Sequence, residues 1–171
     1  MTIVHEHHAK VDVRNILEKF YPDREFLGRG SYAQVWSWKK GVIKLQTYGD
    51  AYGEYLRWVI KHQDNPYVPR VYRTDLWKHN KAILIVYMEK LDKVGNVDGG
   101  IKICDSIRNY MLDRDKEILR TQPKEHLSHL RTLNNAINRL GSKYCFDLHG
   151  ENIMLREEKE NYIPVLTDPV A

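Results

Sequence analysis

Four short stretches of the chain carry residue types whose chemistry fits together. Gly28-Arg29-Gly30-Ser31-Tyr32-Ala33-Gln34-Val35 sets two glycines where backbone amides can approach phosphate oxygens with no side chain in the way. An ordinary glycine hairpin is the plainer reading of that stretch alone. Lys44 lies inside the apolar segment Val42-Ile43-Lys44-Leu45, so its ammonium must find a polar neighbour. Glu54, ten positions on, would turn that lysine toward a phosphate; a solvent-facing strand lysine is the alternative. Asp147 and Asn152 stand five apart, and Asp168 follows Asn152 by sixteen. An acidic residue paired with an Asn across a short hairpin makes an oxygen-rich site for magnesium, with Asn152 and Asp168 as ligands. Asp147, ahead of both, would accept the proton of an attacking hydroxyl.

The elements that must position these groups follow from apolar periodicity. Residues 11–20 have helical spacing at Val13, Ile16, Leu17 and Phe20, with Asp12 as cap. Residues 25–46 read as three antiparallel strands, the last two joined at Lys39-Lys40-Gly41. A helix capped by Asp50 carries Tyr55, Leu56, Val59 and Ile60 on one face and stops at Asp64-Asn65-Pro66. Residues 70–76 and 81–88 are two further strands. Residues 92–100, with three glycines, read as a linker. Helices are expected over 101–119 and 124–140, the second closed by Gly141, and strands over 153–156 and 163–166.

Composition sets the frame. The 171 residues suffice for one ordinary domain or two small lobes. With 42% apolar and 29% charged residues the chain is expected to fold as a globular protein. The net charge of +4 is too small to argue for nucleic-acid binding. Two cysteines exclude a disulfide framework beyond one bridge, and a cytoplasmic setting is expected. The longest apolar run, residues 82–88, is too short for a bilayer, and no membrane partner is expected. His5, His7 and His8 read as a solvated terminus, Cys145 as a small buried filler, and Trp36, Trp38, Trp58 and Trp77 as packing residues.

In their order, the glycine loop, Val-Ile-Lys, helical Glu, Asp-x-x-x-x-Asn and final Asp resemble the protein-kinase-like phosphotransferase superfamily over residues 25–168. Asp147-Leu148-His149-x-x-Asn152 is similar to the aminoglycoside phosphotransferase and small-molecule kinase branch, where His often takes this place. The resemblance implies an α+β fold with a five-stranded antiparallel N-terminal lobe carrying one helix (residues 1–91). A reduced, mainly helical C-terminal lobe would follow (residues 92–171). It implies ATP and Mg2+ as cofactors. Gly28, Gly30, Ser31 and the backbone to Ala33 would cover the phosphates, with Val35 also against the nucleotide. Lys44, held by Glu54, would contact the α- and β-phosphates. Residues 87–91, with Met88 as gatekeeper and Glu89 beside it, would take the adenine. Asp147 would be the catalytic base, and Asn152 and Asp168 would hold magnesium.

The departures shape the expectation. Cys145-Phe146 stands where the family has His-Arg, and Pro169-Val170 where it has Phe-Gly. The sequence ends three residues past Asp168, so a C-terminally truncated form without an activation segment is expected. The implied activity is transfer of the γ-phosphate to a protein or small-molecule hydroxyl. A non-catalytic kinase-fold protein that binds and inhibits a partner is the alternative, and nucleotidyl transfer a third reading. With later helices absent, the apolar positions Ile103, Ile107, Leu112, Leu127, Leu130, Leu133, Ile137 and Leu140 would be left partly wet. A homodimer or a partner docked on the helical lobe is therefore expected.

Overall fold

The computed structural model describes residues 3–7, 13–30, 33–47, 50–78, 82–159 and 161–171. The chain forms two compact units, Met1–Gly49 with Arg70–Lys90, and Asp50–Pro69 with Leu91–Ala171. The architecture is α+β, as expected. No helix among the described residues is long and apolar enough to cross a membrane.

The first unit is a sheet backed by one helix. Its elements are β1 (Ile3–His7), α1 (Val13–Phe20), β2 (Glu25–Arg29), β3 (Ala33–Trp38), β4 (Gly41–Thr47), β5 (Val71–Lys78) and β6 (Ala82–Glu89). Strand order is β1-β5-β6-β4-β3-β2. The five expected strands pair antiparallel, and β1 adds a sixth, parallel to β5. That edge strand gives His5 and His7 a place in the sheet, where the sequence suggested a solvated terminus, and His8 lies outside the described residues. With Ile3 and Val4 followed by His5, Glu6 and His7, the segment shows almost no strand pattern, and its pairing supplies what its residues do not.

Alternation sorts the sheet into two faces. Ile43 and Ile85 meet Ile16, Leu17 and Tyr21 of the α1 region, flanked by Trp36, Trp38, Tyr87 and Trp77. On this face Asp75, only 3% exposed, is satisfied by two hydrogen bonds from Arg73 (2.7 and 3.0 Å) and one from the Tyr21 hydroxyl (3.4 Å). Burial, and then the Asp75 charge, push the Tyr21 phenol up to about 12. Gly41, read as a turn residue, opens β4 instead. A Cβ there would meet the Met88 carbonyl oxygen at 2.3 Å and the Tyr87 ring at 2.7 Å, so only glycine allows β4 to lie this close to β6.

The second unit holds α2 (Asp50–Lys61), β7 (Asp92–Lys93), α3 (Gly100–Met111), α4 (Ile118–Thr121), α5 (Leu127–Lys143), β8 (Ile153–Glu158) and β9 (Asn161–Leu166). Strands β7, β8 and β9 form a small antiparallel sheet in that order. The stretch read as a linker thus begins with a strand, followed by a 3-10 turn over Val94–Asn96. Helices α3 and α5 pack on each other and α3 packs on β8 and β9, while α2 packs on α5.

Three expectations change here. The helix expected over 101–119 breaks after Met111, where Asp113 turns left-handed (φ 54°) and the charged run Asp113-Arg114-Asp115-Lys116 offers no apolar face. Helix α5 runs through Gly141, which is no cap; a Cβ there would meet the Phe146 ring at 2.3 Å. Helix α2 and the connector to Pro69 lie with the second unit rather than with residues 1–91. Arg156, buried on β8, ties that connector down by donating to the carbonyls of Pro66 and Val68. Leu166 N–H donates to Tyr67 O at 3.0 Å, and the Asn65 amide donates to His129 O at 3.0 Å.

The wet helical face expected from the sequence is not found. Ile107, Leu130, Leu133, Ile137 and Leu140 are buried within this single chain, and Ile103, Leu112 and Leu127 are half-buried. Cys145, expected as a buried filler, is exposed, and its backbone N–H and C=O both pair with Ala171 at 3.0 Å.

Candidate functional site

In the first unit, register gathers several of the expected nucleotide-side residues. Gly28 pairs with Val35, Val35 with Lys44, Lys44 with Val86, and Val86 with Thr74, giving one row across five strands. Cross-strand partners share a face, so Gly28, Val35 and Lys44 lie together opposite the α1 core. Val42 and Met88 form the next pair along that face. Lys44 and Met88 are buried, at 9% and 4% exposure. Among the described residues, a Cβ at Gly28 or Gly30 would meet nothing within 4 Å. Neither glycine is therefore required by side-chain packing; Gly28 has a backbone reason of its own, a φ of 159° at the register shift of β2, and the open space beside Gly30 would admit the close approach of another group. Ser31 lies outside the described residues. Glu89 already has work inside the unit: its carboxylate accepts from Arg70 N–H at 2.7 Å and its own N–H donates to Arg70 O at 2.9 Å.

In the second unit, backbone pairing brings Asp147, Asn152 and Asp168 into one loop cluster. Asp147 N–H donates to Pro169 O at 2.9 Å, and Phe146 bridges Val170. Thr167 clasps Asn152 twice, its N–H at 2.8 Å and its hydroxyl at 3.0 Å both donating to the Asn152 carbonyl. The Asn152 amide Nδ2 donates to Asp147 O at 3.0 Å, which leaves Oδ1 as the atom suited to a cation. Residues far apart in sequence are thus fixed by five short-range contacts. The β8–β9 hairpin makes this possible, because Ile153 and Leu166 pair directly and deliver Asn152 and Thr167 side by side.

The electrostatics around Asp168 are set by α2. Burial first, then the Asp168 charge, hold the Tyr52 phenol well above its ordinary range; burial first, then Tyr52 and Asp168, do the same for Tyr55. Tyr55 donates its hydroxyl to Leu166 O at 2.5 Å, fastening α2 to the strand that ends beside Asp168. Glu54, expected to hold Lys44, accepts from Lys143 in its own unit. That bond draws the Glu54 carboxyl below its usual range and raises Lys143.

Asn152 and Asp168 are the residues expected to hold magnesium. Among the described residues no group of three or more His, Cys, Asp and Glu is gathered. Asn152 and Asp168 are two oxygen donors, the number that suffices when phosphate oxygens and water complete an octahedron. Sequence reading gave no part to Thr167 or Lys143. Thr167 adjoins the Asp168 that was singled out, and its position in Leu166-Thr167-Asp168 was the available signal. Lys143 had none, since its partner lies on another helix. The chain matches no protein-family model and no curated protein.

Proposed function

We propose that this chain is a compact, ATP- and magnesium-dependent phosphotransferase of kinase-like fold that transfers the γ-phosphate to a hydroxyl acceptor. The observation that supports the reading is the loop cluster of Asp147, Asn152 and Asp168, held by the Thr167 clasp on the Asn152 carbonyl, the Asp147 N–H bond to Pro169 O and the Asn152 amide bond to Asp147 O. In this reading Asp147 accepts the proton of the acceptor hydroxyl. The acceptor oxygen forms a bond to the γ-phosphorus, the bond to the bridging oxygen breaks, and ADP leaves. Magnesium, when bound by Asn152 and Asp168, neutralises charge on the phosphates. Gly28, Gly30 and Val35 serve the nucleotide, and Lys44 its phosphates. The test is incubation of the purified protein with γ-labelled ATP and magnesium, with and without a cell extract. Labelled acceptor, lost in Asp147→Asn, supports the reading, and no label in either condition refutes it.

One observation favours the non-catalytic reading. Glu54, the residue assigned to orient Lys44, is engaged by Lys143. A protein that binds and inhibits a partner would keep its effect in Asp147→Asn and Asp168→Asn, whereas a phosphotransferase would lose it.

A further inference from the structure

His149 has three polar neighbours that one imidazole cannot satisfy together. Glu151 N–H lies 3.2 Å from Nδ1. Asp147 Oδ1 lies 3.2 Å from Nε2, and Asn152 Nδ2 lies 3.1 Å from the same nitrogen. A backbone N–H can only donate, so Nδ1 must be the bare, accepting nitrogen. The neutral ring then carries its proton on Nε2 and donates it to Asp147. The opposite tautomer would keep the Asn152 contact alone. It would set Nδ1–H against the Glu151 N–H, and a lone pair against the carboxylate. The imidazolium would keep Asp147 but face two donors. Asn152 cannot relieve the conflict by turning its amide over, because Nδ2 donates to Asp147 O at 3.0 Å and Oδ1 would meet that oxygen instead. The Nε2–H ring satisfies two of three neighbours, more than either other form.

The ring is about half exposed, with a side-chain exposure of 53%, so packing alone would not hold it. The Glu151 N–H is the anchor that does.

From this geometry we propose that His149 is a positioning residue for Asp147. Its Nε2–H, oriented by the Glu151 N–H, fixes one carboxylate oxygen and leaves the other to take the acceptor's proton. The consequence for transfer rests on the phosphotransferase reading; the tautomer and the fixed carboxylate do not. Groups that orient a reactive side chain are typically worth about 10- to 100-fold when removed.

The test uses the full chain labelled with 13C and 15N. Long-range 1H–15N spectra, with His149 assigned by its loss in His149→Gln, are expected to show a protonated Nε2 and a bare Nδ1. A protonated Nδ1 with a bare Nε2 would overturn the proposal whatever the activity. The second arm reads transfer from Mg-ATP. His149→Ala is expected to lower kcat about 10- to 100-fold, with the KM for ATP within about twofold. His149→Gln, whose amide can still donate to Oδ1, should recover part of the loss. An unchanged kcat in His149→Ala would overturn the positioning role. If the unaltered chain transfers nothing, the phosphotransferase reading fails, and the positioning role is then decided on Asp147 itself. Its 13Cγ resonance should move in His149→Ala and return in His149→Gln, and an unmoved resonance overturns the role.

Discussion

Glu54 on α2 and Lys143 at the end of α5 form an ion pair within the second unit, with Nζ 2.5 Å from Oε1. The pair joins two helices that sequence reading assigned to different lobes. Its pH signature has a definite sign. A carboxyl held below its ordinary value adds stability above the unfolded value of about 4.3, and that stability is lost as pH falls through the folded value. Lys143→Met should therefore raise the Glu54 titration toward the ordinary range, followed by the 13C shift of its carboxyl. It should also shrink the acid-side loss of stability. Both side chains reach solvent, so the melting temperature at neutral pH should change little. A Glu54 titration unmoved by the substitution would show that Lys143 is not its cause.

The opposite sign holds for Tyr21. Its phenol is raised to about 12 by burial and by Asp75. A raised folded value means the contribution is complete below the unfolded value of about 10 and is lost as pH climbs from there to about 12. Denaturant titrations across that window should show stability falling with pH. In Tyr21→Phe that part of the fall should disappear, at the cost of the hydrogen bond to Asp75. The same slope in both proteins would assign the alkaline loss to other groups.

Gly30 and Gly41 differ in what an added Cβ would meet. Gly30→Ala points its Cβ at open space among the described residues and should leave the melting temperature nearly unchanged. On the phosphotransferase reading it should still weaken the thermal stabilisation produced by Mg-ATP, which grows with ligand concentration over Kd. Gly41→Ala drives a methyl into the Met88 carbonyl, a backbone atom that cannot step aside, and should destabilise the fold by about 2 kcal/mol or more. A stable Gly41→Ala protein would mean that β4 and β6 can separate at little cost.

Those two glycines also mark what was legible. Strong periodicity gave nearly every strand and helix in the right place, because Ile43, Ile85, Val59 and Leu133 repeat at the spacing of the faces they bury. The residues 147, 152 and 168 were legible as types, and the clasp on Asn152 was not, since adjacency to Asp168 marks Thr167 but not the carbonyl it binds. Strand β1 was missed because its pairing with β5 supplies what its residues lack. The grouping of α2 with the second unit was not legible because its ties, Tyr55 to the Leu166 carbonyl and Glu54 to Lys143, run to residues 111 and 89 positions away.

Leu133 decides between two accounts of the helical region. If its face were wet, Leu133→Glu would only dissolve an association. Leu133 is instead fully buried in this chain, on the same buried stripe of α5 as Leu130, Ile137 and Leu140. A carboxylate forced into that core either remains charged without a partner or takes up a proton, and both states cost free energy. The leucine's own burial, about 1.5–3 kcal/mol, is lost as well. Leu133→Glu should therefore unfold the second unit, read as loss of the cooperative thermal transition. Exposed Ile101→Glu should leave it intact. Light scattering over a dilution series, run beside circular dichroism, distinguishes the accounts. A well-folded Leu133→Glu chain that merely changes from dimer to monomer would mean that α5 presents this face to a second copy rather than to its own core.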